Sequence, residues 1–196
     1  MLRFKSTLFT AALTLVSFST SVSAAIVQFD LLGRAGAGLL GGNENAAAAV
    51  VGGTGGEIGA GIFFNDVTKG LTLNLGWGVV NGFTNLTGAA TGFHIHNPGS
   101  ASFTTNGPVI IDFIGLASAP NISANAGGLF NQTVTLTAVQ ETALMSNFLY
   151  VNAHTAANPG GEIRGNLVVV PLPGTLALMG LPLAGLLYRR VRRAAQ

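Results

Sequence analysis

A strict two-residue alternation over residues 71–79 is the feature that most constrains the fold. The even positions of this segment hold Thr, Asn and two Gly, while the odd positions hold large apolar side chains: Leu71, Leu73, Leu75, Trp77 and Val79. Successive side chains of a β-strand point to opposite faces of a sheet, so this period predicts a strand with one buried face. We therefore expect the chain to build its core from β-sheet.

Seven further segments are predicted as strands, because each is apolar and is bounded by the turn-forming residues Gly, Asn, Pro or Ser. They are 26–32, 59–65, 90–96, 108–114, 132–138, 147–153 and 162–170. About eight short strands without a long amphipathic helix predict an all-β domain, an antiparallel sandwich or barrel. We interpret the Gly- and Ala-rich segment 33–61 as a long surface loop with a brief helical turn at 46–49, and its role is left open.

Composition excludes several classes of protein. The 196 residues contain no Cys, and only 8% of them are charged, so a disulfide scaffold, a Cys-based metal site and a charged disordered chain are excluded. Residues 25–170 hold three basic and seven acidic residues, a net charge of −4. Nucleic-acid binding requires a basic face, so we expect no nucleic-acid partner. No nucleophile elbow, phosphate loop or assignable pair of catalytic carboxylates points to an enzyme.

The chain has only three histidines, and their spacing suggests a metal site. On a strand, His94 and His96 share one face with their Cα atoms about 6.6 Å apart. Two imidazoles so spaced can converge on one Zn or Cu ion at about 2.0–2.1 Å. His154 supplies a third ligand if its strand lies alongside, and a carboxylate from Glu162 or Asp112 would complete the set.

A structural role for the same histidines is the alternative. A neutral imidazole donates from one nitrogen and accepts at the other, and can therefore tie a Gly-rich loop to a strand. In this interpretation Asn152, Thr155 and Arg164 join the network, and Arg164 pairs with Glu162 or with Asp112. The sequence leaves both interpretations open.

Three sequence words in order resemble the CHRD domain, named after chordin. They are Gly-Phe-His-Ile-His-Asn-Pro-Gly at 92–99, Tyr-Val-Asn-Ala-His-Thr at 150–155 and Pro-Gly-Gly-Glu-Ile-Arg-Gly-Asn-Leu at 159–167. The resemblance covers about residues 26–168 and implies a Greek-key-like β-sandwich. The His-x-His strand is also similar to the copper strand of copper/zinc superoxide dismutase. That enzyme needs more histidines than the three present here, so the resemblance implies its fold and not its activity.

The N-terminal segment 1–24 has the three parts of a secretory signal peptide. Arg3 and Lys5 form the positive region, residues 7–18 form the apolar region, and small residues precede a predicted cleavage after Ala24. We therefore expect the protein to be exported. The β domain is predicted to occupy residues 25–168, and the remaining residues 169–196 form a distinct tail.

This tail contains an uncharged run of 21 residues, 168–188, that ends at an arginine cluster. Its prolines delay a helix to about residue 174, which leaves a short hydrophobic transmembrane helix of roughly 22 Å. The order of proline motif, apolar stretch and arginines resembles the PEP-CTERM sorting signal, with Leu in place of the usual Glu. The residues that carry the resemblance are Pro171, Leu172, Pro173, Arg189, Arg190, Arg192 and Arg193.

The tail's resemblance implies processing by an exosortase-type enzyme in a Gram-negative bacterium, with the arginines on the cytoplasmic side. A plain single-span membrane anchor is the alternative. Together these features predict an exported, non-catalytic CHRD-type protein at the cell surface or in the extracellular matrix. Its role would be structural or adhesive, in polysaccharide or biofilm, and no cofactor is required. The alternative function is a single-ion Cu or Zn module that uses His94, His96 and His154.

Overall fold

The structure, a computed structural model, describes residues 25–44, 52–114, 116 and 124–171. Within these ranges the chain forms ten strands, two short α-helices and one 3-10 turn. The predicted signal peptide, the helical turn at 46–49 and the C-terminal helix lie outside the described residues. The elements are β1 (Ile26–Gly33), β2 (Gly36–Ala37), β3 (Leu39–Leu40), α1 (Gly41–Glu44), β4 (Thr54–Asn65), β5 (Gly70–Trp77), the 3-10 turn (Val79–Asn81), β6 (Ala90–His96), β7 (Val109–Asp112), β8 (Gly127–Thr135), α2 (Ala138–Met145), β9 (Tyr150–Thr155) and β10 (Ile163–Val169).

All strand pairs among the described residues are antiparallel. One path of paired strands runs from β8 through β5 and β4 to β10, β9, β6 and β7. Between β4 and β10 lie both β1 and β3, because β1 pairs with the C-terminal half of β4 and β3 with its N-terminal end. The short β2 pairs with the end of β1. This order confirms the predicted all-β antiparallel class.

The sheet folds over on itself to enclose the core. The rings of Trp77 in β5 and Phe93 in β6 stack with centroids 5.0 Å apart, although β5 and β6 are not neighbours in the sheet. Phe93 also packs against Phe113, with centroids 5.8 Å apart. A sheet that brings non-adjacent strands face to face is a sandwich, which confirms the predicted architecture.

The alternation in β5 behaves only partly as predicted. Its large apolar residues from Leu71 to Trp77 are fully buried, but the polar residues between them are buried as well. Thr72 bonds to Thr133 between their Oγ1 atoms at 2.8 Å, and Asn74 donates to Gly61 O at 3.0 Å. The prediction of a single buried face was therefore wrong, because these hydrogen bonds let β5 bury its polar face too.

The alternation also ends earlier than predicted. Gly78 adopts a φ of 77°, which glycine tolerates, and the chain leaves the sheet there to enter the 3-10 turn. Val79 is consequently 67% exposed. The segment 33–61 is not one long loop, since it contains β2, β3, α1 and the first part of β4. Only glycine fits at position 55 of β4, because a Cβ there would lie 2.6 Å from Gly76 O.

One helix was missed in the sequence. The predicted strand 132–138 belongs to β8, which begins earlier at Gly127, and the chain then enters α2. Thr137 and Gln140 form a capping box at its start, a Thr-x-x-Gln signal that was present in the sequence. Strand β9, by contrast, begins at Tyr150, later than the predicted residue 147. Among the described residues, no helix is long and apolar enough to cross a membrane.

Replacing Phe93 by Ala should remove the contact that joins the two layers of the sandwich. Deleting a buried Phe side chain costs about 3–5 kcal/mol of unfolding free energy. Phe130, which is 53% exposed on β8, provides the matched control, and its replacement by Ala should change stability by about 0.5 kcal/mol or less. Urea unfolding of both variants checks this. Equal losses would contradict the proposed packing.

Candidate metal centre

The three histidines lie on two neighbouring strands. Strands β6 and β9 pair so that Gly92 faces His154, His94 faces Asn152 and His96 faces Tyr150. Because side chains alternate along each strand, these residues share one face of the sheet. The intervening residues Phe93, Ile95, Val151 and Ala153 are fully buried in the core. The core residues thus fix which face the histidines occupy.

The imidazole rings form a compact cluster. One ligand nitrogen from each of His94, His96 and His154 lies within 4.8 Å of the other two. The ring of His94 is 4.9 Å from that of His154 and 5.5 Å from that of His96, measured between centroids. Gly92 makes this packing possible, since a Cβ there would lie 2.6 Å from His94 Cε1 and 3.1 Å from His154 Cδ2.

Each ring has one nitrogen that faces an acceptor outside the cluster. His96 Nδ1 donates to Gly107 O at 2.8 Å, and His154 Nδ1 donates to Pro159 O at 2.9 Å. His94 Nε2 lies 3.5 Å from Asp112 Oδ1, within electrostatic reach. A carbonyl oxygen can only accept, so in the neutral ring the second nitrogen of His96 and of His154 carries a lone pair.

Two of the remaining ring nitrogens, one of His94 and one of His96, make no hydrogen bond among the described residues. They are His94 Nδ1 and His96 Nε2, and both are buried. A buried polar atom without a partner costs about 1–3 kcal/mol. Histidines that bind metals characteristically donate their other N–H to a carbonyl or carboxylate. His96 and His154 have this arrangement through Gly107 and Pro159, and His94 lies beside the Asp112 carboxylate.

Burial keeps the rings in the form that binds metals. It lowers the pKa of His94 and of His96 below the ordinary value of 6.5, and the neighbouring His154 acts in the same direction. The carboxylate of Asp112 opposes this effect on the pKa of His94, and the hydrogen bond to Gly107 opposes it for His96. At neutral pH both rings are therefore uncharged, and their lone pairs are available.

A buried arginine orients His96 through a loop. Arg164 in β10 is fully buried and donates to Ser102 O at 3.2 Å, Thr105 O at 3.1 Å and Asn106 Oδ1 at 3.1 Å. These bonds hold the segment that ends at Gly107, the acceptor for His96. The Arg164 guanidinium carbon also lies 3.5 Å from the centre of the Tyr150 ring. That ring in turn stacks on His96 at 4.7 Å.

A buried carboxylate orients His154 in the same way. Glu162 accepts from Gly53 N and Thr87 N, both at 2.8 Å, from the hydroxyls of Thr87 and Thr155, and from Asn158 Nδ2 at 3.1 Å. Burial by itself would raise the pKa of Glu162, but these hydrogen bonds outweigh it and lower the pKa. The loop that they hold contains Pro159, the acceptor for His154.

Several details of the predicted network are therefore wrong. The Glu162 carboxylate is fully engaged in hydrogen bonds to the loops and is not a candidate ligand, whereas Asp112 does lie beside His94. Arg164 pairs with neither of these carboxylates. It donates to the loop at 102–106 and to Asn166, because those acceptors surround its buried guanidinium. Thr155 bonds to Glu162 and not to a histidine.

Sequence reasoning missed the part that Gly92 and Glu44 play around the cluster. The carboxyl of Glu44 is largely buried, which raises its pKa, and Arg164 and Asn152 oppose that shift. Glu44 lies in the Gly/Ala-rich segment, where composition gave no signal. Gly92 could have been found, because it shares the strand face of His94 and His96.

Comparison with known proteins gives one match. The family model of the CHRD domain matches residues 36–167, more than half of the chain, and includes all three histidines. No curated protein and no solved structure matches the chain. The match begins after β1, although β1 pairs with both β4 and β10 and is part of the same sheet.

The lowered pKa values of His94 and His96 predict a pH dependence of stability in the metal-free protein. Below about pH 6.5 these histidines take up protons in the unfolded chain before they do so in the folded one. The free energy of unfolding should therefore fall as the pH is lowered from 6.5 towards 5. The double variant His94→Gln, His96→Gln should lose this part of the dependence.

Urea unfolding at several pH values, with a chelator present, measures the effect. Burial raises the pKa values of Glu44 and Glu57, so above pH 4.5 these two groups change the free energy of unfolding with pH in the opposite direction. The relevant quantity is therefore the difference between the unaltered protein and the variant. Parallel curves for the two proteins would show that these histidines do not titrate differently on folding.

Proposed function

The chain belongs to the CHRD domain family, and we propose that this member is an exported, non-catalytic module that holds one Zn or Cu ion between His94, His96 and His154. The CHRD domain is a non-enzymatic family, which supports a non-catalytic β domain. The observation that carries the metal site is the convergence of His94, His96 and His154, each of which places one ring nitrogen within 4.8 Å of the other two. Two buried ring nitrogens of the cluster, His94 Nδ1 and His96 Nε2, make no hydrogen bond among the described residues.

A purely structural role explains only half of the contacts. Hydrogen bonds to Gly107 and Pro159 account for the outward nitrogens of His96 and His154. The same role gives no partner to His94 Nδ1 and His96 Nε2, whose burial is then a net cost. A cation bound by these nitrogens removes that cost, and imidazole is a preferred ligand of both Zn and Cu.

The spacing is compatible with a single ion. Two ligands at about 2.0–2.1 Å from a tetrahedral ion are roughly 3.3 Å apart. The ligand nitrogens of the three histidines already lie within 4.8 Å of one another, so small side-chain rotations bring them to that distance.

Delivery to the cell surface is the second part of the proposal. It rests on the resemblance of residues 1–24 to a signal peptide and of residues 169–196 to a PEP-CTERM tail. An exosortase-type enzyme would then be the processing partner, and the tail would hold the protein at the membrane until it is cut. In extracellular polysaccharide or biofilm, a non-catalytic domain of this kind would serve a structural or adhesive role.

The metal site predicts that the full chain, produced in an exporting host and purified without chelators, binds about one equivalent of Zn or Cu. His94→Ala and His154→Ala should each abolish stoichiometric binding, because two imidazoles remain in a site built for three. Elemental analysis gives the metal content, and circular dichroism shows that the variants are folded.

Asp66→Asn provides the control for this experiment. It removes a half-buried carboxylate at the turn between β4 and β5, outside the cluster, and should leave the metal content unchanged. A folded His94→Ala variant that keeps a full equivalent of metal would refute the site. So would a wild-type protein that takes up neither ion on incubation.

The sorting proposal predicts that the tail is removed in a cell that contains an exosortase. Mass spectrometry of the surface-exposed protein should show the loss of residues 1–24 and of most of the tail. Replacing Arg189, Arg190, Arg192 and Arg193 by Ser should leave the N-terminal cleavage intact and abolish that of the tail. If the unaltered tail stays on the protein in such a cell, the segment is a plain membrane anchor.

A further inference from the structure

Asn152 lies in contact with the histidine cluster. It is 1% exposed and lies on the same sheet face as the histidines, directly opposite His94 across the β6–β9 pair and two residues before His154. Its Oδ1 atom lies 3.1 Å from His154 Nε2. This distance is close to the roughly 3.3 Å that separates two ligands of one tetrahedral ion.

The contact between Asn152 and His154 is unsatisfactory without a cation. His154 Nδ1 donates to Pro159 O, so in the neutral ring Nε2 has a lone pair and no proton. That lone pair faces the carbonyl oxygen of Asn152, and two acceptors at 3.1 Å repel each other unless a proton or a cation lies between them. The partnerless nitrogen of His96 is on the same face.

The structure directs the amide oxygen of Asn152, and not its NH₂ group, to the histidines. The carboxyl of Glu44 is a neighbour of this amide. It is largely buried, which raises its pKa, and Asn152 opposes that shift. Among the described residues, Glu44 Oε2 has no hydrogen-bond partner. Glu44 is itself packed against Gly161, where a Cβ would lie 2.6 Å from its Cδ.

We infer that Asn152 Oδ1 is the fourth ligand of the ion held by His94, His96 and His154. This inference rests on the proposed metal site and specifies it further. Sites with four protein ligands are closed, whereas catalytic zinc sites keep one position for water or substrate. An amide oxygen in the fourth position makes this a storage or structural site for the ion. Asp112 then serves to orient His94 and does not bind the metal.

Cobalt(II) and azide test the inference, because four-coordinate cobalt absorbs visible light and azide binds only where a coordination position is open or held by water. The full chain loaded with cobalt should show a spectrum that azide does not change. In Asn152→Ala, azide should shift the spectrum, and the affinity for zinc should fall by about 10- to 100-fold. Asn152→Asp retains an oxygen ligand and should remain insensitive to azide. The control for general destabilisation is Asn74→Ala, which removes a buried Asn from a different strand, β5.

The outcomes separate this inference from the proposed function. If the wild-type chain binds one cobalt or zinc ion but responds to azide, or if Asn152→Ala binds zinc as tightly as wild type, the fourth ligand is not Asn152 and the three-histidine site stands. If the wild-type chain binds neither ion, both proposals fail. Should Asn152→Ala not fold, the azide response of the wild-type chain and of Asn152→Asp still decides between a closed and an open site.

Discussion

Burying a charged side chain is costly unless hydrogen bonds replace the water that it loses, and this domain buries two charged residues on either side of Ile163. Glu162 takes its hydrogen bonds from the loops around Gly53, Thr87 and Asn158. Arg164 gives its own to the loop at 102–106. Glu162 and Arg164 form these hydrogen bonds only if each loop is held in a fixed position. Two of these loops, the one at 102–106 and the one around Asn158, continue into Gly107 and Pro159, which orient His96 and His154. The geometry of the cluster therefore depends on the hydrogen bonds that stabilise the two buried charges.

How much of this could be predicted depends on which forces are local. The odd positions of β5 and the shared face of His94 and His96 follow from the two-residue period of a strand, and the sequence alone predicted both. The proximity of His154 required the pairing of β9 with β6, which is a long-range contact, so the sequence could offer it only as a condition. Strands β2 and β3 contain two residues each, too few for any period to be visible.

The partners of the buried charges were the least predictable part. From the sequence, Arg164 was expected to pair with Glu162 or with Asp112. In the structure, Glu162 and Arg164 instead form their hydrogen bonds with uncharged groups, most of them in distant segments, up to 109 residues away for Gly53 and Glu162. Nothing in the local sequence specifies backbone carbonyls and amides as partners. The role of Glu44 could not be found for the same reason, since its neighbours Arg164 and Asn152 lie far along the chain.

The pairing of β1 with β10 also determines how the domain can be attached to anything else. Phe29 faces Val169 across these antiparallel strands, and Val170 N donates to Gln28 O at 2.9 Å, so the chain enters and leaves the domain side by side. A tether at either end would therefore hold the domain at the same point of its surface and leave it free to pivot. Adjacent ends also permit circular permutation, in which the natural ends are joined and new ones are opened in a loop. A permuted domain would separate attachment from folding, because its sheet would be complete while its tether emerged elsewhere.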